Sequence, residues 1–233
     1  MHRPIARPGQ RGQRTRHVLA GALTLVVLGA TSASASVYGP DASSYQHPQG
    51  YTIDWGAAHA TSGAAFAFVK ATEGTGYTNP YFKQDFAALA TQGLMRGAYH
   101  FARPTTAAGS AVAQADYFAA AIAGATAPAL PSQPLPDHPL DKAGDLPPVL
   151  DLEDNGGLTP AQLQEWTRAF LTELTAKTGR TPMIYAGPYF WKTSMGNDPS
   201  FAGYPLWVAS YSDNAPGTPL GPLGLLLVVS IVC

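Results

Sequence analysis

Leu146-Pro147-Pro148-Val149-Leu150-Asp151-Leu152-Glu153-Asp154 is a short apolar run that ends in alternating acids. On a β-strand successive side chains point to opposite faces. Asp151 and Glu153 therefore share one face, and Leu150 and Leu152 share the other. The pattern brings two carboxyl groups side by side at the end of a buried strand. Paired carboxyls in unlike environments are the usual equipment for acid-catalysed cleavage of a glycosidic bond. A strand that simply runs into an acidic loop mouth has the same letters, so the motif alone leaves both readings open.

On both sides of residues 149–153, apolar segments alternate with helical patterns, the signature of βα units around a largely parallel sheet. Residues 36–42 read as a weak first strand carrying Asp41, residues 65–71 as a strong second and residues 94–101 as a third. Residues 182–187 and 206–211 follow as a fifth and sixth. Asn79 reads as a helix cap with Pro80 at the first helical position, Phe82, Phe86 and Leu89 on one face, and Gly93 as the stop. Residues 107–124 read as an Ala-rich helix with Val112, Tyr117, Phe118 and Ile122. Thr159 to Gln162 has the form of a capping box. Leu163, Trp166, Phe170 and Leu174 then form the inner stripe of a helix stopped by Gly179. Residues 125–146, rich in proline and without periodicity, read as a long surface loop inside one domain.

The fold class predicted is α/β, an irregular TIM-like β/α barrel. Several strands end in polar or aromatic residues: Asp41, Lys70, Tyr99 and His100, Asp151 and Glu153, Tyr185, Trp207 and Tyr211. In a β/α barrel such strand ends converge on one mouth. A saccharide groove needs carboxylates in the middle and aromatic rings along the walls, which this set supplies. His100 alternates with Tyr99 and is expected to face packing or make a structural hydrogen bond. Asp54 and Trp55 read as parts of the fold without chemistry.

The 233 residues carry a net charge of −1 and only 12 % charged side chains, so no basic excess points to nucleic acid. An apolar share of 45 % is enough for one sizeable core. Arg3, Arg7, Arg11, Arg14 and Arg16 precede an apolar stretch at residues 18–30 and the small-residue site Ala33-Ser34-Ala35. This is the pattern of a secretory signal peptide cleaved near Ala35, and the stretch is too short for a stable membrane span. The expected organisation is a signal peptide at 1–35, a barrel at 36–221 and an atypical apolar tail at 222–233, in a secreted monomer. Cys233 is the only cysteine, so no internal disulfide can form and a Cys-rich zinc site is excluded. No His pair has metal-ligand spacing with Asp or Cys, and neither metal nor cofactor is expected.

Across residues 38–211 the chain resembles glycoside hydrolase family 25, the muramidases often called Chalaropsis-type lysozymes. The resemblance is carried by Asp41 to Gln46, by Ile53-Asp54-Trp55, by Phe68 to Gly74 with Tyr77, and by Gly97 to Phe101. It continues through Pro148 to Glu153, Ile184-Tyr185 and Leu206 to Tyr211. It implies cleavage of the β-1,4 bond between N-acetylmuramic acid and N-acetylglucosamine in peptidoglycan glycan strands. Glu153 falls on the catalytic acid, with a raised pKa; Asp151 would stay ionised to support the developing cation or orient the substrate's N-acetyl group. Asp41 matches a further carboxylate of the pocket. Lys70, Glu73, Tyr77, Tyr99, Tyr185 and Trp207 match positions near the groove.

After Pro222 the resemblance stops. Members continue with a Trp-Gln-Tyr strand and a last strand bearing another acid, whereas residues 223–232 are almost wholly apolar. The expectation is a barrel lacking its last one or two regular strands, from a coding sequence truncated or frameshifted near Gly221. The alternative function that follows is a wall-binding protein with impaired catalysis.

Overall fold

The strand ending in Asp151 lies at the middle of a single sheet. The computed structural model describes residues 39–125 and 145–209 and the backbone of residues 226–227. The elements in chain order are β1 (Asp41–Ala42), α1 (Trp55–Ser62), β2 (Phe66–Glu73), β3 (Tyr77–Thr78), α2 (Phe82–Thr91), β4 (Met95–Phe101) and α3 (Ser110–Ala123). They continue with β5 (Val149–Asp151), α4 (Pro160–Thr178), β6 (Met183–Ala186), α5 (Pro188–Ser194), β7 (Leu206–Val208) and β8 (Leu226–Leu227). Strands β1, β2, β4, β5, β6, β7 and β8 neighbour one another in that order, all parallel, and β3 folds back antiparallel on β2. Among the described residues β1 and β8 are the two edges. The sheet is curled but not closed, an incomplete β/α barrel.

Strand alternation divides the core into two layers. Val69, Ala98, Leu150, Ile184, Leu206 and Val208 face outward and pack under the helices. Phe66, Phe68, Met95, Val149, Met183, Tyr185 and Trp207 face inward and pack on one another. Helix α4 shows why the outer layer holds. Thr159 and Gln162 close a capping box, Pro160 opens the helix, and Gly179 ends it at φ 68°. Leu163, Trp166, Phe170 and Leu174 are buried along one face, each such side chain contributing about 1.5–3 kcal/mol by leaving water. In the inner layer, Gly97 lets the neighbouring strand's ring lie flat: a Cβ there would sit 2.2 Å from Phe68 Cδ1.

Several expectations are revised. Strand β5 stops at Asp151, so Glu153 lies beyond the ladder. Asn79 does not cap α2. It sits three residues ahead of the helix, accepting from the Tyr81 amide at 3.1 Å and donating to the Lys70 carbonyl at 2.8 Å. Helix α3 begins at Ser110, and Val112 faces outward while Ala111, Gln114, Ala115 and Phe118 are buried. Elements α1, β3 and α5 had no counterpart in the sequence reading. Leu226–Leu227, within the apolar tail, pairs with β7, Leu226 opposite Leu206 and Leu227 opposite Trp207. Residues 1–35, Tyr211 and all but these two residues of the tail lie outside the described residues, as does most of the long loop.

Candidate active site

Register places the site. Phe101, Asp151, Tyr185 and Trp207 stand in one row across β4, β5, β6 and β7, and Lys70 stands opposite Tyr99 one step below. All belong to the inner face at the carboxy-terminal ends of parallel strands, where a β/α barrel builds its chemistry. They line a cleft of about 290 Å³ together with Asp41, Val149, Glu153, Ser43 and Tyr45. Of the nine residues singled out from the sequence, seven line this cleft. Glu73 and Tyr77 do not, and stand behind Lys70 instead.

A β-bulge explains Glu73. The β2–β4 register shifts between Lys70 and Thr72, so Lys70 opposes Tyr99 and Glu73 opposes Phe101. Residues three apart on a strand would normally face opposite ways; the extra residue returns Glu73 to the Lys70 side. The two form an ion pair. The Lys70 ammonium also lies 4.9 Å from the centre of the Phe101 ring and 5.6 Å from that of Tyr77. The Tyr77 hydroxyl donates to Ser44 Oγ at 2.9 Å. Burial would raise Glu73, but hydrogen bonds from Lys70 and Arg103 outweigh it and hold the carboxyl below its ordinary range.

The floor is aromatic and dry. Trp207, 3 % exposed, packs edge-on against Tyr185 at 4.9 Å and against Phe68 at 4.7 Å. Tyr99 is pushed far up by burial and by the negative charge of Asp41, Asp151 and Glu153, so its hydroxyl keeps its proton. Tyr45, by contrast, is 88 % exposed at the rim. Ser43, Tyr45, Phe101 and Val149 were not selected from the sequence. Period-two alternation from Asp41 to Ser43, from Tyr99 to Phe101 and from Asp151 back to Val149 was the available signal for three of them.

Three carboxyl groups meet in this cleft. Asp151 is 6 % exposed, and its Oδ1 is buried without a hydrogen-bond partner. Burial raises its pKa well above the ordinary value, and the charge of Glu153 and a hydrogen bond shared with Glu153 raise it further; Lys70 opposes this. Asp41 is raised chiefly by burial and also by Glu153, against a lowering backbone hydrogen bond. Burial and the neighbouring charge thus favour the protonated form of Asp151, opposite in direction to the ionised role that the resemblance implies. Two neighbouring carboxyls in unlike surroundings are an arrangement in which one can give a proton to a leaving oxygen while negative charge is held beside the reaction centre.

His100 faces the outer layer, fully buried, with Nδ1 2.8 Å from Thr72 Oγ1 and Nε2 3.1 Å from Gln114 Oε1. Burial pushes it down to about 4, against a raising hydrogen bond to the Gln114 amide oxygen, so it is neutral at neutral pH and structural. Asp54 caps α1 through the Ala57 amide. Among the described residues no three His, Cys, Asp or Glu side chains are grouped to hold a metal ion, and no helix is long and apolar enough to cross a membrane.

The profile of the family described as Glycosyl hydrolases family 25 matches residues 40–222. An N,O-diacetylmuramidase from Chalaropsis is 38 % identical over 196 residues, covering 78 % of this chain and 82 % of that protein. Lysozyme M1 of Streptomyces globisporus is 35 % identical over 195 residues, covering 81 % of this chain and 59 % of that protein. The crystal structure of the bacterial lysozyme from Streptomyces coelicolor superposes with a TM-score of 0.65 at 31 % identity, over 81 % of each chain. With the profile spanning most of its length and relatives above 30 % identity, the chain belongs to glycosyl hydrolase family 25.

Proposed function

We propose that this glycoside hydrolase is a secreted muramidase that cuts the β-1,4 bond between N-acetylmuramic acid and N-acetylglucosamine in peptidoglycan. The observation that carries the reading is the Asp151–Glu153 pair, with Asp151 buried and its pKa raised, in a cleft walled by aromatic rings. The names of the relatives, a diacetylmuramidase and lysozymes, support the substrate. Glu153 is the general acid. Its carboxyl proton passes to the departing glycosidic oxygen as the bond to the anomeric carbon breaks. The pair then bears one more negative charge, which with Asp41 faces the developing oxocarbenium ion. Water adds its hydroxyl to the anomeric carbon and its proton returns to the pair, restoring the starting state. Lys70, Tyr99, Tyr185 and Trp207 hold the sugars, and Glu73 and Tyr77 hold Lys70.

The barrel is assigned to residues 36–221, released by removal of a signal peptide at 1–35 and followed by the apolar tail at 222–233, and it acts as a monomer. The deciding experiment is clearance of purified cell walls by the protein starting at Ser36, beside Glu153→Gln. The expected result is soluble sugar with reducing N-acetylmuramic acid ends, absent with the variant. Folded protein that binds walls but releases no sugar would replace this reading with that of a wall-binding protein.

A further inference from the structure

Arg103 lies just past the end of β4, and its half-exposed guanidinium is held by two carboxylates and an aromatic ring. Nε and Nη2 donate to Glu73 Oε1 at 2.9 and 2.6 Å, and Nη1 donates to Asp154 Oδ2 at 2.7 Å. The group lies 4.6 Å from the centre of the Phe101 ring. From behind, its backbone is pinned by α3: the Arg103 amide donates to Gln114 Oε1 at 3.0 Å, and Gln114 Nε2 donates to the Arg103 carbonyl at 2.6 Å.

Asp154 is the residue after Glu153. Its second oxygen, Oδ1, accepts the Gly156 amide at 2.9 Å, so the turn leaving Glu153 is closed on itself and fastened to Arg103 by the same side chain. The turn also rests on the segment that carries Arg103. Gly156 has φ 58°, and a Cβ there would lie 1.8 Å from the Pro104 carbonyl oxygen. Glu153 needs such support. The last ladder bonds of β5 are the Ala102 amide to the Asp151 carbonyl and the Leu152 amide to the Tyr185 carbonyl, both 2.9 Å, and Glu153 lies past them. An exposed ion pair adds little to stability. A guanidinium that uses its fixed fork to join a carboxylate on a strand to one in a neighbouring turn fixes geometry instead.

We propose that Arg103 and Asp154 form a positioning clamp that holds Glu153 over the cleft and ties it, through Glu73, to Lys70. Arg103 is a positioning residue and touches no reacting atom. The inference rests on the reading of Glu153 as proton donor, and its test has one arm that does not need turnover. The variants are Arg103→Ala, Arg103→Lys and Asp154→Asn, the last keeping an oxygen for the Gly156 amide while losing the charge.

Amide hydrogen exchange across residues 152–158 is measured first. Arg103→Ala and Asp154→Asn are expected to speed it about tenfold, with exchange of β2 and α4 unchanged. On soluble peptidoglycan fragments, kcat is expected to fall by about tenfold to a hundredfold with KM held within about twofold, as for a misplaced catalytic group. Arg103→Lys keeps the charge without the fork and should not restore the rate. The double variant should be no slower than the slower single one, since both remove the same contact. Unchanged exchange at 152–158, additive losses in the double variant, or loosening of the turn with kcat intact would each overturn the clamp. Full activity in Glu153→Gln would instead sink the proton-donor reading, and the exchange result would still decide whether the clamp exists.

Discussion

Asp151 and Glu153 are chemically alike and two residues apart, yet the fold gives them different surroundings. Their shared face was legible from alternation alone. That Asp151 has a raised pKa was not, because this depends on its being sealed beneath neighbours from β4 and β6 that a single strand does not reveal. The consequence can be checked through stability. The folded Asp151 carboxyl keeps its proton at pH values where an unfolded aspartate, with its ordinary value of 3.8, has lost it. Between those values the native state binds more protons than the unfolded state, so stability declines as pH rises through the window and is lowest above it. Asp151→Asn removes the carboxyl. Its melting temperature is expected to exceed that of the unaltered protein by a few degrees at neutral pH, with the gap closing toward pH 4, while wall clearance is lost. Thermal melts across that range read this directly, and a gap independent of pH would contradict it. Asp41, raised for similar reasons, gives a slope of the same sign.

Among the elements, those with strong periodicity were readable and those fixed by distant partners were not. Helix α4 shows its cap, stripe and stop in its own letters, and all three stand in the structure. Helix α1 offers only Trp55 as a buried residue, so no apolar stripe announces a helix; Asp54 capping the Ala57 amide and Gly63 at its end are the local signs. The bulge in β2 was equally silent, since Ala71 looks like any strand residue, and it is the bulge that turns Glu73 toward Lys70. The stripe of α4 yields a prediction at this scale. Phe170 is fully buried against Trp166 and His100, with ring centres 5.5 and 5.2 Å away. Phe170→Ala is expected to cost about 3–5 kcal/mol in denaturant unfolding, a transfer and cavity loss combined. A loss under about 1 kcal/mol would mean that the outer layer closes over the gap.

Across the whole molecule, the order of strands and the gathering of Asp41, Lys70, Tyr99, Asp151, Glu153, Tyr185 and Trp207 at one end followed from βα alternation and from strand-end chemistry. The ties between distant parts did not. Asp85, on α2, accepts from Trp55 Nε1 at 3.1 Å and lies 2.8 Å from His47 Nε2, while His47 Nδ1 is 2.8 Å from the Tyr51 carbonyl and its ring stacks on Tyr81 at 3.9 Å. This buried cluster fastens the segment after β1, and so the Asp41 side of the cleft, to the helical layer. Asp85→Ala would leave two buried nitrogens without their acceptor and is expected to cost about 3–5 kcal/mol, read as a lowered urea midpoint. A midpoint within error of the parent would show the cluster to be dispensable. The sheet order has one more consequence. From β1 to β8 every new parallel strand joins beside the previous one, and none is inserted between two already placed. A chain made amino end first can therefore grow its sheet by accretion at a single edge, each addition closing only the loop just synthesised and none waiting for a distant partner. The cleft is built in the same sequence, Asp41 first and Trp207 near the end, so a nascent chain acquires its fold progressively but its chemistry late.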